Sequence, residues 1–132
     1  MAELVKLVLL DTSALLALRD NEEGADRVAT LLEGTSRCLA CFMTRMEVLD
    51  HVWKDEGERA GRFAHEQLLA LPLPWVEGSD PLLEQAAALK AQHALSLAAA
   101  WIVASALQVE AILLHKDPEF QSIKILLQEW LG

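Results

Sequence analysis

An α/β sandwich around a mainly parallel sheet of four or five strands is the architecture this sequence predicts, and three observations lead to it. Short apolar runs such as ELVKLVLL (3–10) stop at polar residues, as strands buried on both faces do. Longer segments with helical periodicity lie between them, bounded by Gly or Ser. The two kinds alternate along the whole chain, the pattern of a parallel sheet packed between helices.

In chain order, the strand over 3–10 is closed by the polar DTS at 11–13 and followed by helices over 13–18 and 22–33, the second ending near Gly34. RCLACF (37–42) reads as the next strand. Helical periodicity returns over 45–56 and 60–70, with Gly57 and Gly61 marking the break between them. LPLPWVEG (71–78) has two prolines around a short apolar piece and suits an edge strand. Helices are expected over 81–91 and 96–108, a fourth strand over 111–114 and a fifth over 123–127. No repeat, low-complexity tract or linker interrupts this order, so the 132 residues are read as one domain.

Composition narrows the function. Apolar residues make up 53% of the chain and charged ones 23%, which suits a packed core and excludes a disordered segment. No apolar run approaches the ~20 residues that cross a bilayer. The start has no basic stretch leading into a cleavable apolar one, so a cytoplasmic protein is expected. The net charge of −9 excludes a broad basic face for nucleic acid, which leaves metal ions, a local basic patch or a basic protein partner to supply the positive charge. Cys38 and Cys41 form one CxxC without a second pair. Lying in a strand, they read as buried free thiols.

The candidate site is acidic. Asp11 ends the first strand, and ligands of parallel sheets collect beyond the carboxyl ends of strands. TRME (44–47) has the form of a capping box, with Thr44 at the N-cap and Glu47 at the third helical position, directly after the second strand. Asp117, in HKDPEF, follows the fourth strand. Asp11, Glu47 and Asp117 are thus expected at one edge. Clustered carboxylates repel unless one keeps its proton or a cation joins them, and carboxylate oxygens suit Mg²⁺ or Mn²⁺.

VLLDTSALLAL (8–18), MTRMEVLDHVW (43–53), LSLAAAWIVASAL (95–107) and AILLHKDPEF (111–120) resemble, in order and over almost the whole chain, the motifs of PIN domains. The likeness is to the small toxin ribonucleases of VapBC toxin–antitoxin pairs in particular. The resemblance implies a three-layer α/β/α sandwich, an acidic pocket binding Mg²⁺ or Mn²⁺, cleavage of RNA, and a basic VapB-like antitoxin as partner. Asp11, Glu47 and Asp117 match three of the four principal acidic positions and would be the metal ligands. Ser13 and Thr44 match supporting hydroxyl positions, and Glu119 a less uniform acidic one. The fourth principal acid is replaced by Ala99.

Ser96 is suited to cap the helix over 96–108, which puts Ala99 at its third position, where an acid would face the metal and be favoured by the helix N-terminus. Losing that oxygen donor is expected to leave catalysis weak or absent. Engineered silencing and natural loss of activity both fit such a chain.

The remaining residues point elsewhere. His51, His65, His93 and His115 show no ligand spacing and read as structural or exposed. Trp53, Trp75, Trp101 and Trp130 read as core or interface residues, with Trp101 expected to be buried. Arg45, Lys54 and Lys116 are the basic residues nearest the motifs, and Lys116 adjoins Asp117. The apolar surplus of so small a domain favours a homodimer. Two other functions compete with the ribonuclease: a non-catalytic module whose pocket takes a basic antitoxin side chain, and a phospho-receiver, which the DTS start does not fit.

Overall fold

The computed structural model describes residues 7–34 and 37–132, so the start of the expected strand over 3–10 lies outside the described residues. The strands are β1 (Leu7–Leu10), β2 (Arg37–Cys41), β3 (Trp75–Val76), β4 (Ile112–His115) and β5 (Gln128–Trp130). The helices are α1 (Thr12–Asp20), α2 (Ala25–Glu33), α3 (Met43–Glu56), α4 (Glu58–Leu69), α5 (Asp80–Gln92) and α6 (Leu97–Gln108). The sheet order is β3-β2-β1-β4-β5, and every ladder is parallel.

Alternation along the strands creates the layers. Leu9, Cys41 and Leu113 point to one face, where they pack with Leu82, Ala86 and Leu89 of α5 and with Ile102 and Val103 of α6. Val8, Leu10, Cys38, Ala40 and Leu114 point to the other, against Ala14, Val28, Val52 and Leu68 of α1 to α4. Leu9, Leu10 and Leu113 are wholly buried, and each such side chain is worth about 1.5–3 kcal/mol of apolar burial. The result is the three-layer α/β/α arrangement, with β1 central. All five strands leave by the same edge.

Three local expectations are corrected. The fifth strand begins at Gln128, whereas 121–127 form turns. Ile123 and Leu126 do enter the core, but from turns in which the Ile123 N–H bonds to Phe120 O and the Leu126 N–H to Ile123 O. An apolar run alone could not distinguish turn from strand.

Gly57 breaks α3 from α4, with φ of 100°, a value that only glycine reaches easily. Gly61 does not lie at the break. It sits inside α4 at the crossing with α3, where an added Cβ would lie 3.0 Å from Leu49 O, Trp53 N and Trp53 Cβ.

Lastly, Thr44 does not cap α3. That helix begins at Met43, and its N-cap, Phe42, has no side chain that accepts from the helix.

Gly61→Ala tests the helix crossing. Two of the atoms it would meet are backbone and cannot yield independently of the helix, so we expect a loss of about 1–3 kcal/mol from overpacking. Urea denaturation of the two chains measures it, and an unchanged midpoint would show that α3 and α4 can move apart.

Candidate functional site

The carboxyl edge of the sheet is where α1 begins, and Asp11 is its N-cap. The side chain is 2% exposed, and Oδ1 accepts from Ala14 N at 2.9 Å and from Ser13 Oγ at 2.7 Å. Ser13 Oγ in turn accepts from Lys116 N at 2.8 Å. One hydroxyl therefore ties the end of β1 to the segment after β4. On the other side, Thr12 Oγ1 donates to Glu47 Oε1 at 2.6 Å, and the Thr12 and Thr44 hydroxyls lie 3.1 Å apart. Thr44, wholly buried, supports Glu47 through Thr12 rather than through a cap.

Asp117 is fixed from two directions. Its Oδ1 accepts from Glu119 N at 2.9 Å, and its own N–H donates to His115 Nδ1 at 3.2 Å. With Nδ1 accepting, the other ring nitrogen carries the proton and donates to Gln128 Oε1 at 2.9 Å. Gln128 Nε2 then donates to Phe120 O and Ile123 O, which closes the network. Burial, the larger effect, holds the His115 pKa below its usual value. The imidazole is accordingly neutral, and the turn carrying Asp117 is held by the last strand.

These groups meet in one pocket of about 250 Å³ whose lining includes Asp11, Thr12, Ser13, Glu47, Ser96, Ala99, Asp117 and Glu119. The structure thus brings together every acidic position expected from the sequence. Ser96 caps α6, accepting from Ala99 N at 3.2 Å, and Ala99 occupies the third helical position in the pocket wall. Thr44 lies behind that wall.

Two polar lining residues go beyond those the sequence singles out: Thr12, inside the DTS motif, and Asp50, three residues beyond Glu47 on the same helical face. His51 is exposed, as expected, and also contributes to the pocket lining while its Nε2 lies 3.4 Å from Asp55 Oδ2.

Among the described lining residues there is no Lys or Arg. Lys116 donates to Glu23 O at 2.9 Å, Arg45 pairs with Glu77 at 3.2 Å over the Trp75 ring, and Lys54 pairs with Asp50 at 3.3 Å. The consequence is visible in the acids. Burial, reinforced by the charges of Asp117 and Glu47, lifts the Asp11 pKa from 3.8 to about 7, against the bonds from Ser13 and Ala14. Burial also raises the Glu47 pKa, with the charges of Glu119 and Asp117 adding to it and the Thr12 bond opposing it.

The oxygen donors of Asp11, Glu47 and Asp117, with no Lys or Arg among the described lining residues, fit Mg²⁺ or Mn²⁺ in chemistry. In arrangement they fall short of a finished centre: among the described residues no three His, Cys, Asp or Glu side chains form a ready metal-holding group.

The thiols match expectation, since Cys38 and Cys41 are free and buried. Trp101 is only half-buried, edge-on to Phe42, and Trp53 and Trp130 are exposed. No described helix is long and apolar enough to cross a membrane.

A parallel α/β/α sandwich with acids gathered at the carboxyl edge defines a class, and comparison gives the family: residues 8–126 match the PIN domain, and the chain belongs to that family. No curated protein matches it. Solved structures do. DNA-bound VapBC from Salmonella typhimurium is similar with a TM-score of 0.75 at 17% identity, covering 98% of this chain and 100% of that one. VapBC2 from Rickettsia felis, bound to a promoter DNA fragment, also has a TM-score of 0.75, at 15% identity, covering 93% and 97%. The Mycobacterium tuberculosis VapC20 toxin, described as cleaving the sarcin-ricin loop, has a TM-score of 0.71 at 16% identity, covering 87% and 93%.

A proton held more tightly in the folded than in the unfolded chain makes stability fall as pH rises between the two pKa values. For Asp11 the window runs from about 4 to about 7. Asp11→Asn keeps the acceptor for Ala14 N and Ser13 Oγ but cannot ionise. Denaturation across pH 4–8 is expected to show the variant gaining on the unaltered chain as pH rises. A constant difference would mean Asp11 is charged throughout.

Proposed function

We propose that this chain is a metal-dependent endoribonuclease of the VapC toxin kind, weakened by alanine at position 99. The observation that carries the reading is the pocket itself: carboxylates from the N-cap of α1, from α3 and from the turn after β4 line one cavity, with no Lys or Arg among the described lining residues. Asp11, Glu47 and Asp117 would hold Mg²⁺ or Mn²⁺. Such an ion, when bound, lowers the pKa of water and stabilises charge on a phosphate. Ser13 and Thr12 orient the first two carboxylates, and His115 fixes the turn of the third. A raised Asp11 pKa means that ion binding releases protons, so affinity rises with pH.

The same acidity suits a basic antitoxin segment, and the likeness to VapBC structures favours a VapB-like partner. Exposed apolar side chains such as Phe63 and Leu69 favour a homodimer, and the cytoplasm suits a protein that acts on RNA. A second reading has one observation in its favour. Because the acids do not form a ready ligand group and Ala99 offers none, the pocket could serve only to bind an antitoxin arginine or lysine.

Ala99→Asp separates the two. Since altering even supporting groups at metal sites costs ~10 to 100-fold, a restored acid at the ion should raise Mn²⁺-dependent RNA cleavage at saturating ion by at least ~10-fold. Cleavage absent from both chains, with Mn²⁺ shown to be bound, would leave the binding module.

A further inference from the structure

Gln128 opens β5, and it is half-buried where its neighbours Glu129 and Trp130 are exposed. Its amide meets three groups. Oε1 lies 2.9 Å from His115 Nε2, while the amide nitrogen lies 2.9 Å from Phe120 O and 3.3 Å from Ile123 O. Backbone carbonyls only accept, so the NH₂ must face them and the oxygen must face the ring. That oxygen also only accepts, so His115 carries its proton on Nε2, and the bare Nδ1 meets the Asp117 N–H at 3.2 Å. The other tautomer would set N–H against N–H at one ring nitrogen and lone pair against lone pair at the other. A single amide thus dictates every donor and acceptor from β5 to Asp117.

The same amide holds the turn at its far end. Residues 117–123 are gripped at the Asp117 N–H through the ring, and at Phe120 O and Ile123 O directly. Between these points Asp117 Oδ1 accepts from Glu119 N, so where the backbone goes the carboxylate follows. His115 is 1% exposed, edge-on to Phe120 at 5.0 Å and to Trp130 at 5.6 Å, and among the described residues no buried side-chain polar atom lacks a partner. Water has no access to replace a bond lost at the ring, which makes each one costly to remove.

We propose that Gln128 is a positioning residue of the pocket: from the last strand of the sheet it selects the His115 tautomer that holds the Asp117 N–H, and with the other end of its amide it holds the end of the same turn. It touches nothing in the pocket itself and acts only through His115 and the backbone. That this placement serves cleavage rests on the nuclease reading above; the placement does not.

The test reads the ring and the turn separately by NMR. Ring ¹⁵N shifts of the unaltered chain at neutral pH should show His115 protonated on Nε2; protonation on Nδ1 overturns the proposal. In Gln128→Met, exchange of the Asp117 amide should quicken at least ~10-fold relative to the Leu9 amide of the central strand, as loss of its anchoring bonds implies. No change, or equal quickening at both amides, overturns it as well. Two variants then separate positioning from packing. His115→Phe keeps a ring between Phe120 and Trp130 but has no nitrogen, whereas His115→Asn gives up the ring and keeps an oxygen for the Asp117 N–H. Positioning requires Asn to protect that amide better than Phe does, and the reverse order assigns the ring to packing alone. In the Ala99→Asp background, Gln128→Met should lower Mn²⁺-dependent RNA cleavage ~10 to 100-fold, as loss of groups that orient ion-binding side chains does. Unchanged cleavage overturns the link to function. Absence of cleavage in Ala99→Asp itself counts against the nuclease reading, and the exchange rates still decide the placement.

Discussion

A carboxylate buried among other acids, with no Lys or Arg among the described residues that line its pocket, is the constraint around which this molecule is organised. Asp11 ends the central strand, caps the helix that follows and is held by a serine that also grips the chain beyond β4. Each of those bonds favours the charged form. Burial and the neighbouring acids oppose it, and they win, which is why the group holds its proton up to about pH 7. A fold selected for stability alone has no reason to put an acid there. Local violations of this kind concentrate where a protein meets its ligand.

Parallel topology explains how two distant segments reach that acid. Because β1, β2 and β4 run the same way, the residues that follow them emerge at one edge. Asp11, the start of α3 and the turn bearing Asp117 are neighbours for this reason alone. Sequence reading could locate them, since each is tied to the end of a recognisable apolar run.

What the sequence could not convey was the wiring between them. Thr44 and Glu47 have capping-box spacing, yet the helix starts two residues before the Arg45 that this spacing implies, and the bond to Glu47 comes from Thr12. That partner lies 35 residues away, and no local pattern encodes it. The same holds for Ser96 with Glu119 and for His115 with Gln128, which join segments that meet only after folding. Gly61 was misread for a related reason: glycine marks both breaks and close crossings, and only the packed helices decide which. The fifth strand was placed early because Ile123 and Leu126 are as buried as strand residues while belonging to turns.

The two cysteines carry a separate consequence. They sit three residues apart on one strand, so alternation sends Cys38 into one core and Cys41 into the other. Side chains on opposite faces of a sheet cannot be joined by a bond that needs their β-carbons within about 4.5 Å. An oxidising environment therefore has no intramolecular crosslink to form in the native state, and burial raises both thiol pKa values, which suppresses the reactive thiolate. Alkylation of these sulfurs must wait for the sheet to open, and its rate gives a direct gauge of how often that happens.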